Sequence, residues 1–280
     1  MRDRARAGGD AGFSATGARP PGPMKLQGPS AAGHSMPVTG VRGVLALVGG
    51  DEFNPGNEEQ DRMLAAAAKP GPAFVLPTAA GRQGPEKAVA HATTWFKQFG
   101  LKLRELPVLK RADANSKELA ALARTGGFFY LVGGDPGLVA QVLRSSRVWN
   151  AIFEAWLQGS SLAGSSAGAM ALGSDSLIRA TWPNRFTRRP TEALGLVPET
   201  AVLPHFETFG HRWVESAEKE LPGKTLLGVD ERSAAVWTKG EWRAVGPGSV
   251  TVIKGAKMAQ FPSGSKISGV HAPVRMLPKQ

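Results

Sequence analysis

Cysteine is absent from the chain, which excludes disulfides, thiolate metal sites and a cysteine nucleophile. Hydrolytic chemistry, if present, has to come from Ser, Thr, His or carboxylates. No run approaches the ~18 apolar residues of a membrane-spanning helix. Arg2, Arg4 and Arg6 resemble the charged start of a targeting segment, but the apolar stretch of ~7–15 residues that a secretory signal needs does not follow them. A soluble, cytoplasmic protein is therefore expected. Surface aromatics interleaved with basic residues are also missing. The net charge of +11 thus reads as a solvated basic surface, and neither nucleic acid nor membrane is expected as a partner. What the chain does have is 280 residues at 42% hydrophobic content, enough for a sizeable core.

Residues 1–38 are rich in Gly, Pro, Ala, Ser and Arg and carry almost no apolar periodicity, so a disordered tail is predicted there. A single domain is predicted over 39–280. Its first core strand is the apolar run Val44-Leu45-Ala46-Leu47-Val48, of the kind buried on both faces of a parallel sheet, followed by Gly49-Gly50. Helical stretches at 58–68, 86–99, 116–124, 138–144 and 148–158 alternate with strands at 73–76, 103–109 and 127–132. This alternation predicts an α/β fold with a doubly wound, mainly parallel sheet flanked by helices. In such a sheet the site lies beyond the carboxyl ends of the strands, where Gly49-Gly50, Pro77-Thr78 and Gly133-Gly134 would gather. The last third reads as a β meander with a hairpin turn at Lys239-Gly240, expected to pack on or extend the same sheet.

The stretch Gly164-Ser165-Ser166-Ala167-Gly168-Ala169 is G-x-S-x-G, placed where a strand should turn sharply into a helix. That is a nucleophile elbow with Ser166 at its tip. Glycines on both sides are needed because the strained turn leaves no room for a Cβ, and the first amides of the following helix are free to face an oxyanion.

Together with Leu47-Val48-Gly49-Gly50, Leu76-Pro77-Thr78-Ala79, Val132-Gly133-Gly134-Asp135, Leu203-Pro204-His205-Phe206-Glu207 and Gly228-Val229-Asp230-Glu231, this motif resembles the peptidase S51 family. That family holds aspartyl dipeptidases of the dipeptidase E type and cyanophycinases on a class I glutamine amidotransferase-like fold. The resemblance implies Ser166 as nucleophile, His205 as general base and the Gly134 and Ala167 amides as oxyanion donors. It implies no metal and no organic cofactor. The residue types agree: a serine hydroxyl needs an imidazole to take its proton, and the imidazole needs a partner to hold its tautomer. Of the five histidines, His34 lies in the tail, His271 near the end and His91 in a predicted helix, with His211 the runner-up to His205.

The third member stays open. Residues 179–184 lack the aspartate that follows the nucleophile in the dipeptidase branch, leaving Glu207, Asp175, Glu192 and the pair Asp230-Glu231. Glu207 is preferred, two residues beyond His205 and so on the same side of an extended segment. Leu203-Pro204 replaces the polar pair that cyanophycinases carry before the histidine, and Pro136 stands where they have Gln, which argues against cyanophycin as substrate. Arg185, Arg188 and Arg189 are candidates to clamp a substrate carboxylate. Asp135, Arg185 and Arg212 are expected at the substrate. The reading is thus a serine-type hydrolase of a small peptide or isopeptide, possible as a homodimer, with a catalytically silent binding module as the alternative.

Overall fold

The computed structural model describes residues 43–180 and 187–273; the expected tail at 1–38 and Arg185 lie outside them. Met1–Met36 and Pro37–Gln280 separate into two units, and every described residue belongs to the second.

Strand and helix alternate through the first half: β1 (Leu45–Val48), α1 (Glu58–Ala66), β2 (Ala73–Leu76), α2 (Pro85–Phe96), β3 (Leu103–Glu105), α3 (Arg111–Ala114), α4 (Lys117–Arg124), β4 (Phe128–Leu131), α5 (Pro136–Leu143), α6 (Arg147–Leu157), β5 (Ser161–Ser165) and α7 (Ala167–Leu172). The strands β1, β2, β4 and β5 are buried along their whole length. Their alternate residues feed two cores, because successive side chains leave opposite faces of a strand. Leu45 and Leu47 of β1 pack with α4, α5 and α6, whereas Ala46 and Val48 pack with Leu64 of α1 and with Ala92 and Phe96 of α2. Helix starts are set by side chains that accept otherwise orphaned amides: Ser116 takes Leu119 N–H, Ser146 takes Trp149 N–H, and Asp135 takes those of Gly137 and Leu138.

The second half is β6 (Gly173–Arg179), β7 (Arg188–Glu192), β8 (Val197–Leu203), α8 (Val214–Glu220), β9 (Thr225–Val229), β10 (Ala234–Thr238), β11 (Glu241–Val245), β12 (Ser249–Lys254), β13 (Lys257–Pro262) and β14 (Lys266–Ile267). Here the expectation of one sheet is corrected. The described strands form an eight-stranded sheet, β14-β11-β10-β1-β5-β4-β2-β3, and a six-stranded one, β13-β12-β9-β8-β6-β7. The meander divides between them after β11. Gly246, at φ +103°, turns the chain there, and a Cβ on it would lie 2.5 Å from the Arg232 carbonyl oxygen. Lys239 and Gly240, both at positive φ, form the two-residue turn between β10 and β11. Among the described residues no helix is long and apolar enough to cross a membrane.

Among the described residues one carboxylate is buried without a cation. Asp61 of α1 accepts a hydrogen bond from Trp95 Nε1 at 2.7 Å. Burial pushes its pKa from the ordinary 3.8 up to about 8; the Trp95 bond opposes the rise, and Glu52 and Glu58 add to it. The folded chain therefore holds a proton that the unfolded chain has already lost between roughly pH 4 and 8. The stability linked to that proton is complete below the lower pH and lost as pH rises through the folded value. Asp61→Asn is expected to flatten this part of the pH dependence in a series of thermal melts, and an unchanged slope would refute the assignment.

Candidate active site

Ser166 stands between β5 and α7 with φ 48° and ψ −111°, a conformation that costs a non-glycine residue about 1–3 kcal/mol and persists only where the surroundings impose it. They do. Its amide donates to Val48 O at 3.0 Å, anchoring the turn to the end of β1. A Cβ at Gly164 would meet Gly168 C and O at 2.5 Å, and one at Gly168 would meet Leu131 O at 2.2 Å. The two glycines thus let α7 rise directly against β5 and β4, which turns the serine outward.

His205 comes from the other sheet, two residues beyond β8. Its Nε2 lies 3.0 Å from Ser166 Oγ, and its Nδ1 lies 2.7 Å from Glu231 Oε1. Its amide donates to Gly49 O at 2.7 Å, and Phe209 stacks on the ring with centroids 4.8 Å apart. Gly50, at φ +117°, leaves the ring its space. Thr208 Oγ1 donates to Glu231 Oε1 at 3.3 Å.

Glu207, expected against the imidazole, is not there. Both of its carboxylate oxygens accept the Glu231 amide at 3.0 Å, and burial raises its pKa. The same-side argument for Glu207 assumed an extended chain, but His205 has φ 51°, so the backbone turns and Glu207 swings away. The acid at Nδ1 is Glu231, just past β9. The other candidates have partners elsewhere: Asp175 bonds Lys224 and Ser174, Glu192 bonds Arg144, and Asp230 accepts Ser249 N–H at 2.8 Å. His211, the runner-up, is exposed and bonds Phe206 O through Nδ1 at 2.8 Å.

The Gly133-Gly134 segment runs beside the serine, since a Cβ at Gly133 would sit 3.3 Å from Ser166 Cβ. Gly134 has φ +140° and could carry no side chain, because a Cβ would lie 2.3 Å from Ala79 O. Ala167 opens α7, where an amide has no intrahelical acceptor. Sequence reasoning missed Glu52. Its Oε1 accepts Gly133 N–H at 2.7 Å and its Oε2 accepts Ser165 Oγ at 2.9 Å, tying the two segments together. Only its place just after the Gly49-Gly50 turn at the end of β1 pointed to it.

Of the residues expected at the substrate, Asp135 has local work. Its Oδ1 caps α5, and its Oδ2 faces Arg82 Nη1 at 3.3 Å. Arg212 is exposed on the short turn Gly210–Trp213. Among the described residues no group of three or more His, Asp or Glu is placed to hold a metal ion.

The fold is α/β, and at its site a serine on a strand-to-helix turn is bonded to a histidine that is bonded to a carboxylate. The chain belongs to peptidase family S51, whose profile matches residues 45–245. It is 32% identical over 167 residues to cyanophycinases of Synechococcus elongatus and of Thermosynechococcus vestitus, 56% of this chain in each case. The match spans about half the length of those relatives, 51% of each. A crystal structure of a peptidase from an acI-B1 actinobacterium superposes with a TM-score of 0.71 at 34% identity, covering 81% of this chain and 97% of that one.

Proposed function

We propose that the protein is a serine-type peptidase that cleaves a small peptide or isopeptide through an acyl-enzyme on Ser166. The observation that carries this is the continuous line from Ser166 Oγ through the His205 ring to Glu231, with bonds of 3.0 and 2.7 Å. In this reading His205 Nε2 takes the hydroxyl proton as Oγ attacks the substrate carbonyl, and the charge that develops on the carbonyl oxygen faces the Gly134 and Ala167 amides. The same nitrogen then gives its proton to the leaving amine, and water, activated in turn by His205, releases the acyl group. Glu231 accepts the proton-bearing Nδ1–H, keeps Nε2 free as the base and stabilises the imidazolium. Glu207 holds Glu231 in place through its backbone amide. The alternative of a silent binding module drew on Pro136 and on the aspartate missing from 179–184; the contact of His205 Nδ1 with Glu231 favours the peptidase reading over it. Cyanophycin is not proposed as substrate, because Leu203 and Pro204 precede the histidine where a polar pair was implied.

Treatment with a fluorophosphonate is expected to give one adduct per chain, on Ser166, seen as a mass shift and located by peptide mapping. Glu231→Gln is expected to slow labelling by about 10³–10⁴-fold, since an amide favours the wrong tautomer. Glu207→Gln, which keeps an acceptor for the Glu231 amide, is expected to slow it by no more than about tenfold. No adduct, under conditions that label another serine hydrolase, would reject the proposal. Equal losses in the two variants would reject the role given to Glu231.

A further inference from the structure

The turn that follows β1 meets the candidate site at several points, and its backbone is strained. Asp51 and Phe53 lie at φ 52° and 61°, with Gly50 at φ +117° just before them. Non-glycine residues hold such angles only where their surroundings impose them. Here Asp51 Oδ2 pairs with Arg232 Nε at 3.3 Å, and the Gly50 carbonyl accepts Arg232 N–H at 2.9 Å. Phe53 is buried against Tyr130, with ring centroids 4.9 Å apart. Glu52, half-buried between these two anchored residues, therefore reaches the site from a fixed backbone.

Its two oxygens divide between the segments that carry the implied oxyanion donors. Along Val132-Gly133-Gly134-Asp135, the amides of Val132 and Asp135 donate to Leu76 O at 3.3 Å and Ala79 O at 2.8 Å. That of Gly133 donates to Glu52 Oε1 at 2.7 Å. Among the described residues the Gly134 amide has no acceptor, which leaves it for a ligand. Two successive glycines have no side chains to restrict their rotation, so the direction of that amide depends on the bonds on either side of it. On the Asp135 side the bond goes to backbone, and on the Gly133 side it goes to the Glu52 carboxylate. The other oxygen, Oε2, accepts Ser165 Oγ at 2.9 Å, one residue before the serine of the elbow and two before Ala167. A Cβ at Gly133 would lie 2.9 Å from Glu52 Oε1 and 3.3 Å from Ser166 Cβ, so this glycine sits close to both.

We infer that Glu52 is a positioning residue for the cleavage proposed above: by joining Gly133 to Ser165 it sets the direction of the Gly134 amide relative to the Ser166 hydroxyl and the Ala167 amide. The inference rests on the reading of Ser166 as the nucleophile. The two bonds, and not the charge, carry the effect. A glutamine can keep both, its oxygen taking Gly133 N–H and its amide donating to Ser165 Oγ. Fluorophosphonate labelling tests this, because the phosphoryl oxygen of the probe needs the same donors as a substrate oxyanion. Glu52→Ala is expected to lower the limiting labelling rate at saturating probe by about 10²-fold, with little change in the half-saturating concentration. Glu52→Gln is expected to restore the rate to within about fivefold of wild type. The pH midpoint of labelling, which follows His205, is expected to be the same in both variants and the wild type. Ser165→Ala, which removes one of the two bonds, is expected to slow labelling by about three- to tenfold and to add nothing to Glu52→Ala. A wild-type rate in Glu52→Ala, a loss confined to the half-saturating concentration, a shifted pH midpoint, or Glu52→Gln as slow as Glu52→Ala overturns the inference. Should Glu52→Ala fail to fold, a wild-type rate in Ser165→Ala overturns it instead. Absence of labelling in the wild-type chain strikes the peptidase reading and this inference with it, whereas equal labelling of wild type and Glu52→Ala strikes this inference alone.

Discussion

Ser166→Ala and His205→Ala are each expected to lower kcat for peptide cleavage by about 10⁴–10⁶-fold, and the double variant no further. In the proposed mechanism the two side chains act as one unit. Without the imidazole the hydroxyl keeps its proton at neutral pH and is a weak nucleophile, and without the hydroxyl the imidazole has nothing to activate. In the same proposal the residual rate in either variant is what the Gly134 and Ala167 amides and substrate binding supply to attack by water. Neither change should disturb the fold, because the strained Ser166 conformation comes from its backbone contacts, and alanine keeps the Cβ. Michaelis kinetics on the two single variants and the double variant check this. Losses that multiply, or a His205→Ala enzyme within about tenfold of wild type, would show that the 3.0 Å contact is not a working proton path.

Gly50→Ala is expected to lower kcat by about 10²–10³-fold while the chain still folds. A Cβ at Gly50 would lie 2.2 Å from His205 Cε1, 2.5 Å from Nε2 and 2.8 Å from Nδ1, so the ring cannot stay where it is. It has little freedom to retreat, with Phe209 stacked on it and Glu231 bonded to Nδ1. A displacement of about 1 Å is enough to cost two orders of magnitude in a reaction that depends on alignment. The positive φ at Gly50 adds strain of about 1–3 kcal/mol for any side chain, which should appear as a lower melting temperature. Activity within about threefold of wild type would mean that Gly50 does not set the position of the imidazole.

Much of the first half of the fold is legible along the chain. The strands at 45–48, 73–76 and 128–131 are continuous apolar runs between turn residues, and burial on both faces is the reason such runs have no polar alternation. Much of the second sheet is not legible, for equally physical reasons. Its strand Arg188–Glu192 is an edge carrying two arginines and Pro190, and the strand Lys257–Pro262 is almost wholly exposed, so neither shows an apolar pattern. The strand Val197–Leu203 contains Pro198 and, at Glu199, a positive φ. A meander was readable in the last third, but its division between two sheets depends on where partner strands are available.

The candidate site divides along the same line. The elbow at Ser166 is local: the spacing of Gly164 and Gly168 serves close packing between neighbouring segments of the chain, so the sequence by itself determined the serine and the turn that presents it. The identity of the acid was decided only by tertiary structure. Leu203 of β8 is level with Gly228 of β9, so His205, two residues past the first, emerges beside Glu231, three past the second. The positive φ at His205 then turns the chain and carries Glu207 off the imidazole and onto the Glu231 backbone. No spacing along the chain encodes that exchange, because it follows from the parallel register of two strands separated by a helix and from one backbone angle that the packing around the histidine imposes.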